Sequence, residues 1–463
     1  MNKIYMACLG MLLLASCQSD EGSILDELEP QEQFLGGETS VIDESVNAFG
    51  QAAPNLTGNK DLEFVTGNAF FKRNWVTAPS STEDLDGVGP LFNARSCSSC
   101  HDKDGRGAPP LDPTEEPVSL LFRLSIAEQI DWQPLPDPNY GGQFNHLSIL
   151  GVEPEGKVSV TYDEISGNYP DGATYSLRKP SYHFYDLHYG DMSPNLMVSP
   201  RIAPHMIGLG LLEAVSEQTL LNYTDEADSD GDGISGRANY VEDVVTGLPA
   251  IGRFGWKANQ PSVRQQVAGA FLGDIGITSA LFPNQDCATN QLDCQEAYSE
   301  TGYELTDQIL DRVTLYSAAL AVPRRRNWDQ PNVIQGKLLF DDLNCSGCHI
   351  TKMTTASHLD FPEFDNQTIR PFTDLLLHDM GEGLADHRPD GLATGTEWRT
   401  PPLWGIGLFP VVSGHTFYLH DGRARNLEEA ILWHGGEASA SVSAFKSLNQ
   451  TERNQVLQFL ESL

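Results

Sequence analysis

The sequence predicts a mainly α-helical protein made of two related halves with a long, loop-rich insertion. The pattern Cys-x-x-Cys-His occurs twice, at 97–101 and at 345–349, and we call these the first and the second motif. Each motif follows a short segment containing Leu-Phe and precedes a stretch that begins Arg-x-x-Pro, at 201–211 and 399–408. Apolar residues at helical spacing before the second motif and at the C-terminus favour helices as the main element.

The best-defined helices are predicted beside the second motif and at the end of the chain. Apolar residues at 333, 334, 338 and 339 form one helical face that leads into the motif. Asn449, followed three residues later by Glu452, resembles a capping box. Apolar residues at 456, 459, 460 and 463 continue that final helix.

Cys-x-x-Cys-His is the pattern that attaches haem covalently: the two thiols bond to the haem vinyl groups, and the histidine becomes the proximal iron ligand. A thioredoxin-like dithiol has no need of the histidine, and a zinc site needs another cysteine pair nearby. We therefore predict two haem c groups in two cytochrome c-like domains. The predicted haem-binding residues are Cys97, Cys100 and His101 in the first motif, and Cys345, Cys348 and His349 in the second.

The N-terminus is typical of an exported protein, with a charged start and an apolar run too short to span a bilayer. Leu14-Ala15-Ser16-Cys17 resembles a bacterial lipobox, in which Cys17 becomes the lipidated first residue. The alternative is an ordinary signal peptide with a chance cysteine. The acidic residues that follow resemble lipoprotein sorting signals, so we expect a lipid anchor to the bacterial outer membrane, on its periplasmic or surface-exposed face.

These features predict four segments. Residues 1–16 form the signal peptide, and 17–58, which are acidic and poor in aromatic residues, form a lipidated flexible tether. Residues 59–328 form an N-terminal cytochrome c-like domain with the insertion, and 329–463 form a C-terminal one. The basic run 324–326 is either a solvated linker or a partner for haem propionates.

The net charge of −35, from 29 basic and 64 acidic residues, makes nucleic acid an implausible partner.

Two further cysteines, Cys287 and Cys294, lie close together in a polar loop. In an oxidising compartment this pair predicts a local disulfide, and the alternative is two free thiols.

Residues 228–236 alternate carboxylates with glycine, as does the start of an EF-hand loop. The predicted calcium ligands are Asp228, Asp230, Asp232 and the carbonyl oxygen of Ile234. The twelfth position is Asn239, where an EF-hand has a bidentate Glu, so another ligand must complete the shell. The alternative is a plain acidic turn.

The function of each haem depends on its sixth ligand. His434 follows the stretch 427–433 and lies downstream of 419–423, and these segments resemble the C-terminal half of bacterial di-haem cytochrome c peroxidases, in which a ligand follows similar stretches. In those peroxidases the residue is usually Met, and in a related cofactor-maturing enzyme it is Tyr. His434 would therefore give a bis-histidine haem. Met380 is the second candidate, and a helix-end histidine without a metal role is the alternative.

The sequence identifies the sixth ligand of the first haem less clearly. His205 and Met206 lie in the Arg-x-x-Pro stretch, and Met206 is either a distal ligand or a core residue. If Met206 is a core residue, we expect an open distal position at the first haem. Glu213 is a candidate distal carboxylate for general acid–base catalysis, with a structural glutamate as the alternative. Trp256 and Trp404 are candidates for a bridge between the haems, although such tryptophans are more often core residues.

Segments spread over most of the folded chain resemble the family of di-haem oxidoreductases and predicted peroxidases. These segments are 89–107, 199–214, 228–239, 252–256, 336–349, 378–386 and 400–437. This resemblance implies a peroxidase-like enzyme in which one haem transfers electrons and the other reduces peroxide. Its partners would be a small redox substrate such as peroxide, and an electron-donor protein or quinol-linked cytochrome. The rival hypothesis is a non-catalytic electron-transfer or iron-linked surface cytochrome.

Overall fold

The computed structural model describes residues 25, 27–81, 85–127, 129, 130, 133–297, 302–358 and 360–463. The predicted signal peptide and Cys17 lie outside these residues. Among the described residues, none of the helices combines the length and the apolar character needed to cross a membrane. The helices are α1 Lys60–Lys72, α2 Cys97–Cys100, α3 Leu209–Glu213, α4 Glu217–Leu221, α5 Val263–Ile275, α6 Leu292–Ala297, α7 Asp307–Ala318, α8 Pro331–Asp342, α9 Phe409–Val412, α10 Leu427–Trp433, α11 Ser439–Ser447 and α12 Gln450–Ser462.

The prediction of a mainly α-helical protein is wrong. About 30% of the chain is helical and 18% is in strands that form several small antiparallel sheets, and cytochrome c-like domains are not shown. The strands are β1 Leu91–Phe92, β2 Leu120–Ser125, β3 Gln129–Ile130, β4 Gln133–Pro134, β5 Leu147–Ser148, β6 Lys157–Asn168, β7 Thr174–Tyr185, β8 Met197–Ile202, β9 Tyr240–Asp243, β10 Leu248–Ile251, β11 Met353–Thr354, β12 Thr368–Ile369, β13 Leu377–Asp379 and β14 Glu397–Arg399.

The longest strands, β6 and β7, form a hairpin whose sequence carries a recognisable strand signal. Val158 and Val160 alternate with polar residues, and aromatic and β-branched residues are frequent in both strands. The connection contains Asp171 and Gly172, and Gly172 has a φ of 89°, a conformation that glycine adopts without strain. The helical prediction rested on the segments before the second motif and at the C-terminus, and it overlooked this alternation.

Each half contains a pair of helices that cross at a glycine. Helix α1 crosses α7 at Gly67, where a Cβ would clash with the Arg312 carbonyl oxygen, and α8 crosses α12 at Gly336, where a Cβ would clash with that of Gln455. The capping box predicted for α12 is present and confirms that element boundary. In both halves the helix before the motif therefore lies directly against a later helix.

An aromatic residue of each first helix also lies beside the motif histidine. The ring centroids of Phe71 and His101 are 6.3 Å apart, and those of Phe340 and His349 are 6.2 Å apart. The same local arrangement thus occurs twice, which agrees with the internal repeat in the sequence.

The hairpin β6–β7 lies across the C-terminal half. Arg178 Nε donates to the Arg423 carbonyl oxygen at 2.9 Å, and Tyr182 Oη donates to Asp421 at 3.0 Å. Arg453 forms an ion pair with Asp171 at the hairpin turn. A continuous hydrophobic core extends through both halves, from Leu35 to Leu463.

Residues 27–58, predicted to belong to a flexible tether, pack against the folded body. Leu35 and Phe49 are fully buried, and Glu32 forms an ion pair with Arg325 at 2.7 Å. The low aromatic content of this acidic segment concealed the few apolar residues that anchor it.

Candidate functional site

Both motifs line one cavity of about 570 Å³, which runs between the two halves. Most of its wall is apolar, contributed by α5, by the segment after β8, and by residues near α10. Pockets of this size and character are typical ligand sites. The site residues on its wall are Cys97, Cys100, His101, His205, Met206, Cys345, Cys348, His349, Met380 and His434.

The two motif histidines are oriented in the same way. His101 Nδ1 lies 2.7 Å from the Pro204 carbonyl oxygen, and His349 Nδ1 lies 2.8 Å from that of Phe372. Since a carbonyl oxygen only accepts, each Nδ1 carries the proton and each Nε2 keeps its lone pair. Burial lowers the pKa of both histidines to about 4, so both rings are neutral at pH 7. This is the state in which a histidine binds iron, with its other nitrogen held by a backbone group.

The four motif cysteines form no disulfide and lie half-buried at the cavity wall. Burial raises the pKa of Cys97 and of Cys345 to about 12, so these thiols are protonated at neutral pH. Zinc would need thiolates in a cluster of at least four ligands. Within the described part of the chain, the only cluster of three or more such ligands is in the acidic loop, and it includes none of these thiols.

His434 repeats the orientation of the motif histidines. It caps the C-terminus of α10, and its Nδ1 donates to the Ala430 carbonyl oxygen at 2.7 Å. Its Nε2 therefore keeps a lone pair at the cavity wall. After burial and a backbone hydrogen bond, the proximity of His434 is the next influence on the pKa of His349. The two residues are thus near neighbours, although Met380 also lines this end of the cavity.

His378, beside the second motif, is held in a different state. Its Nε2 lies 2.8 Å from Asp374 and its Nδ1 lies 2.7 Å from Glu437. Burial acts to lower the pKa of His378, but hydrogen bonds to the two carboxylates and to Cys348 raise it to about 12. Both nitrogens of this imidazolium carry protons, so it has no lone pair for iron.

The end of the cavity near the first motif is formed by one face of α5. This face presents the small residues Gly269 and Gly273 to the cavity, and a Cβ at either position would meet its neighbours at ordinary van der Waals distances of 3.6 Å or more. Its polar residues are Gln266 and Asp274. Gln143 Nε2 donates to Asp274 Oδ1 at 2.9 Å, and burial raises the pKa of Asp274 to about 6. Asp274 also raises the pKa of Cys97 and Cys100, which shows that it lies close to this motif.

Glu213, the acid–base candidate from the sequence, does not line the cavity. Its Oε1 accepts from the Val263 amide at the start of α5, at 3.0 Å, and its Oε2 lies 3.4 Å from His358 Nε2. A carboxylate at a helix N-terminus is stabilising, and this geometry assigns Glu213 to capping. Sequence reasoning missed Asp274, although the small residues Gly269, Ala270 and Gly273 that precede it were a usable signal of a helix face open to close approach.

Met206 lines the cavity, but its backbone is tied to the proximal side of the first motif. Its amide donates to the Asp104 carbonyl oxygen at 3.0 Å, two residues after Pro204, which accepts from His101. A ligand on the opposite face of a haem would have to come from another segment. The position of Met206 therefore favours packing over ligation.

The acidic loop lies against the second motif. Asp228, Asp230 and Asp232 place carboxylate oxygens within 4.8 Å of one another. Ser235 donates to Glu437, the carboxylate that holds His378, and the Ile234 side chain lines the cavity. Asn239 is fully buried and donates to the carbonyl oxygens of Lys257 and Asp390, so its side chain is engaged elsewhere.

Cys287 and Cys294 are joined by a disulfide with a Cα–Cα distance of 5.9 Å. Of the two candidate tryptophans, Trp256 lines the cavity and Trp404 does not.

The basic run is neither a solvated linker nor part of the cavity wall. Arg325 is 1% exposed and paired with Glu32, and Arg326 donates to the carbonyl oxygens of Glu461 and Leu463.

The residues at the cavity wall fit a haem group at each motif. Neutral histidines, unbridged thiols and an apolar wall match its iron, vinyl groups and ring. His205 is buried with neither ring nitrogen at hydrogen-bonding geometry, and Arg106 Nε is also without a partner. Such buried polar groups point to a polar ligand beside the first motif.

A model of the family described as "Di-haem oxidoreductase, putative peroxidase" matches residues 31–463. No curated protein matches the chain. Among solved structures, hydrazine synthase from Kuenenia stuttgartiensis, pressurised with 20 bar of xenon, is similar over 100% of this chain and 99% of that chain. The identity is 14% and the TM-score is 0.34, a likeness too weak to carry an argument.

Proposed function

Because the chain belongs to the di-haem oxidoreductase family, we propose that it is a peroxidase-like enzyme with two covalently attached haem c groups. The peroxide-reducing site would lie at the first motif, and the electron-accepting site at the second. Covalent attachment through the four motif cysteines is part of this proposal.

The unequal surroundings of the two motifs carry the proposal. Near His349, His434 offers a second nitrogen to the same end of the cavity. Near the first motif, α5 instead presents the small residues Gly269 and Gly273 and the carboxyl group of Asp274 to the cavity. A closed iron favours electron transfer, and an open one favours chemistry on a small substrate.

When bound, the haems would supply electrons and an iron site for peroxide. Reduction of hydrogen peroxide to two waters consumes two electrons and two protons. The Asp274 carboxylate would take a proton from one peroxide oxygen and deliver it to the other. Gln143 would hold Asp274 in position through the hydrogen bond to Oδ1, and Gln266 would donate a hydrogen bond to the substrate.

The purified, haem-loaded protein tests this function. Haem should stay with the denatured chain, at two groups per chain. The half-reduced protein should show one high-spin haem, and hydrogen peroxide should oxidise both haems. If only low-spin haem is present and peroxide leaves the spectrum unchanged, the protein is an electron-transfer cytochrome instead.

The net charge of the chain suggests the type of electron donor, and the N-terminal lipobox-like motif suggests the cellular location. A net charge of −35 would attract a positively charged donor, so we propose a basic donor protein or a quinol-linked cytochrome. We also propose a lipid anchor at Cys17 in the bacterial outer membrane.

We propose that the acidic loop binds calcium and supports the second haem site. Three carboxylates so close together repel each other without a cation. Ser235, at the end of the loop, donates a hydrogen bond to Glu437, and Glu437 in turn holds His378 beside Cys348. An ordered loop would therefore stabilise this part of the cavity wall.

Removal of calcium should therefore lower the melting temperature. A site saturated at about 100 times its Kd contributes about 2.7 kcal/mol, which corresponds to roughly 3 °C for a chain of this length. Calorimetry with and without a chelator measures the shift. The triple variant Asp228→Asn, Asp230→Asn, Asp232→Asn should no longer respond, whereas Asp112→Asn, at an exposed turn, should respond like the wild type. A wild-type protein indifferent to chelation would exclude the site.

A further inference from the structure

Three arginines at the cavity wall are buried without a carboxylate partner. Arg106, Arg253 and Arg399 are each 7% exposed and line the cavity. None of them forms an ion pair with a described residue, whereas Arg201, also at the wall, is paired with Asp390 at 2.8 Å. A buried cation is costly unless an anion is nearby.

Arg253 donates hydrogen bonds to carbonyl oxygens at the end of a helix, whereas Arg106 and Arg399 keep N–H groups without an acceptor in the described part of the chain. Arg253 Nη1 donates to the carbonyl oxygens of Leu212 and Val215, at the C-terminus of α3. Among the described residues, the Arg106 side chain donates only to the Leu419 carbonyl oxygen, and its Nε has no partner there.

Arg399 uses two of its three nitrogens on backbone groups. Its Nε donates to the Gly255 carbonyl oxygen at 2.8 Å, and its Nη1 donates to that of Thr400 at 3.2 Å. Both Arg106 and Arg399 therefore keep unused N–H groups.

These two arginines converge on His205. Arg106 Cζ lies 5.8 Å from the centroid of the Phe409 ring, and the His205 ring centroid lies 5.3 Å from the same point. Arg106 also lies over the Trp256 ring at 5.2 Å, and the Trp256 carbonyl oxygen accepts from the Arg399 amide at 2.9 Å. In agreement with this geometry, burial and then the charges of Arg106 and Arg399 lower the pKa of His205. His205 directly follows Pro204, whose carbonyl oxygen accepts from His101. Arg106, His205 and Arg399, which we call the cationic corner, thus lie beside the first motif.

The cationic corner is suited to carboxylates. The guanidinium group presents a planar fork of donors that matches a carboxylate in two parallel hydrogen bonds. A haem carries two propionate carboxylates, and a haem bonded to Cys97 and Cys100 with its iron at His101 would occupy this end of the cavity.

We infer that Arg106, His205 and Arg399 bind the propionate carboxylates of the haem at the first motif. This inference rests on the haem attachment proposed above. The basic run 324–326 is excluded from this role because its members are paired elsewhere. A soluble carboxylate has the same chemistry, and the experiment separates the two sources.

The test is a redox titration of haem-loaded variants. Arg106→Gln and Arg399→Gln each remove a cation beside the first haem, so ferric iron should be favoured and the midpoint potential of that haem should fall. Arg106→Lys keeps the charge and should restore much of the potential. Arg453→Gln is the matched control, since Arg453 is also buried but is paired with Asp171 and lies away from the cavity.

The haem content is measured on the same samples. A wild-type chain without bound haem would refute the attachment and hence the proposed function. If Arg106→Gln and Arg399→Gln retain both haems at the wild-type potentials, the inference about the cationic corner is refuted while the function stands. If Arg106→Gln does not accumulate with haem, Arg399→Gln decides by the same criterion.

Added formate distinguishes the occupant. If propionates fill the corner, millimolar formate should leave the wild-type potential unchanged. A potential that shifts with formate would show that the corner is open to soluble carboxylates and would overturn the assignment to propionates.

Discussion

Replacing His434 with glycine should convert one of the two haems from low-spin to high-spin ferric iron. The imidazole Nδ1 donates to the Ala430 carbonyl oxygen, which leaves Nε2 with a lone pair at the cavity end near His349. The loss of this nitrogen would open the sixth position of the second haem. Absorption and electron paramagnetic resonance spectra of the ferric protein measure the change.

The backbone makes this a test of ligation and not of folding. His434 follows the last residue of α10 and has an extended conformation, with φ −60° and ψ 137°, which glycine adopts without strain. His188 supplies a matched control, because its Nδ1 makes the same kind of bond, to the Pro154 carbonyl oxygen, outside the cavity.

His188→Gly should keep both haem spectra. If His434→Gly also leaves the spectrum unchanged, Met380, which lines the same end of the cavity, becomes the candidate ligand, and Met380→Leu should then produce the high-spin signal.

The sequence predicted the parts of the site that depend on local spacing. Cys-x-x-Cys-His fixes the thiols and the histidine in one short segment, and His434 was selected because it directly follows an amphipathic stretch that resembles a segment of di-haem peroxidases. The capping box at Asn449 and Glu452 is also local, because both partners lie within one helical turn. Each of these features can be read without knowledge of what lies across the cavity.

Features that depend on long-range packing could not be predicted in this way. Asp274 lies 173 residues beyond His101 in the sequence, and only the fold brings α5 to the first motif. Glu213 is close to the Arg-x-x-Pro stretch along the chain, yet its carboxylate turns to the α5 N-terminus. Proximity in sequence therefore favoured the wrong carboxylate for the cavity.

The same limit applies to the arginines. In the sequence, the conspicuous cluster of arginines is 324–326, but its members bind other groups of the folded chain and do not line the cavity. Arg106 and Arg399, which are isolated in the sequence, do line the cavity. The hairpin β6–β7 was overlooked for a different reason. Its alternating pattern was available in the sequence, but the helical periodicity near the second motif was extended to the whole chain.

Replacing Asp274 with asparagine should lower kcat/KM for hydrogen peroxide by roughly 10²- to 10⁴-fold, the usual contribution of a general acid–base group. Asparagine has the same shape, and its side-chain oxygen can still accept from Gln143, so the cavity wall should be preserved. The spin states of both haems should therefore match the wild type. Steady-state peroxide consumption with a reduced donor measures the loss.

The activity of the wild type should also depend on pH through the Asp274 carboxyl group. Burial raises the pKa of Asp274 to about 6, so the carboxylate that accepts the peroxide proton predominates above that pH. In the wild type, kcat/KM should fall as the pH decreases through about 6, and this limb should be absent in Asp274→Asn.

The same type of substitution at Glu213 separates the two carboxylates. Glu213→Gln should act on stability, with a loss of about 1 kcal/mol from a weakened helix cap, because the side chain does not line the cavity. A large loss of kcat/KM in Glu213→Gln, with wild-type turnover in Asp274→Asn, would return the acid–base role to Glu213. If neither variant loses activity, proton transfer depends on water alone, and the carboxyl groups of this cavity serve structure only.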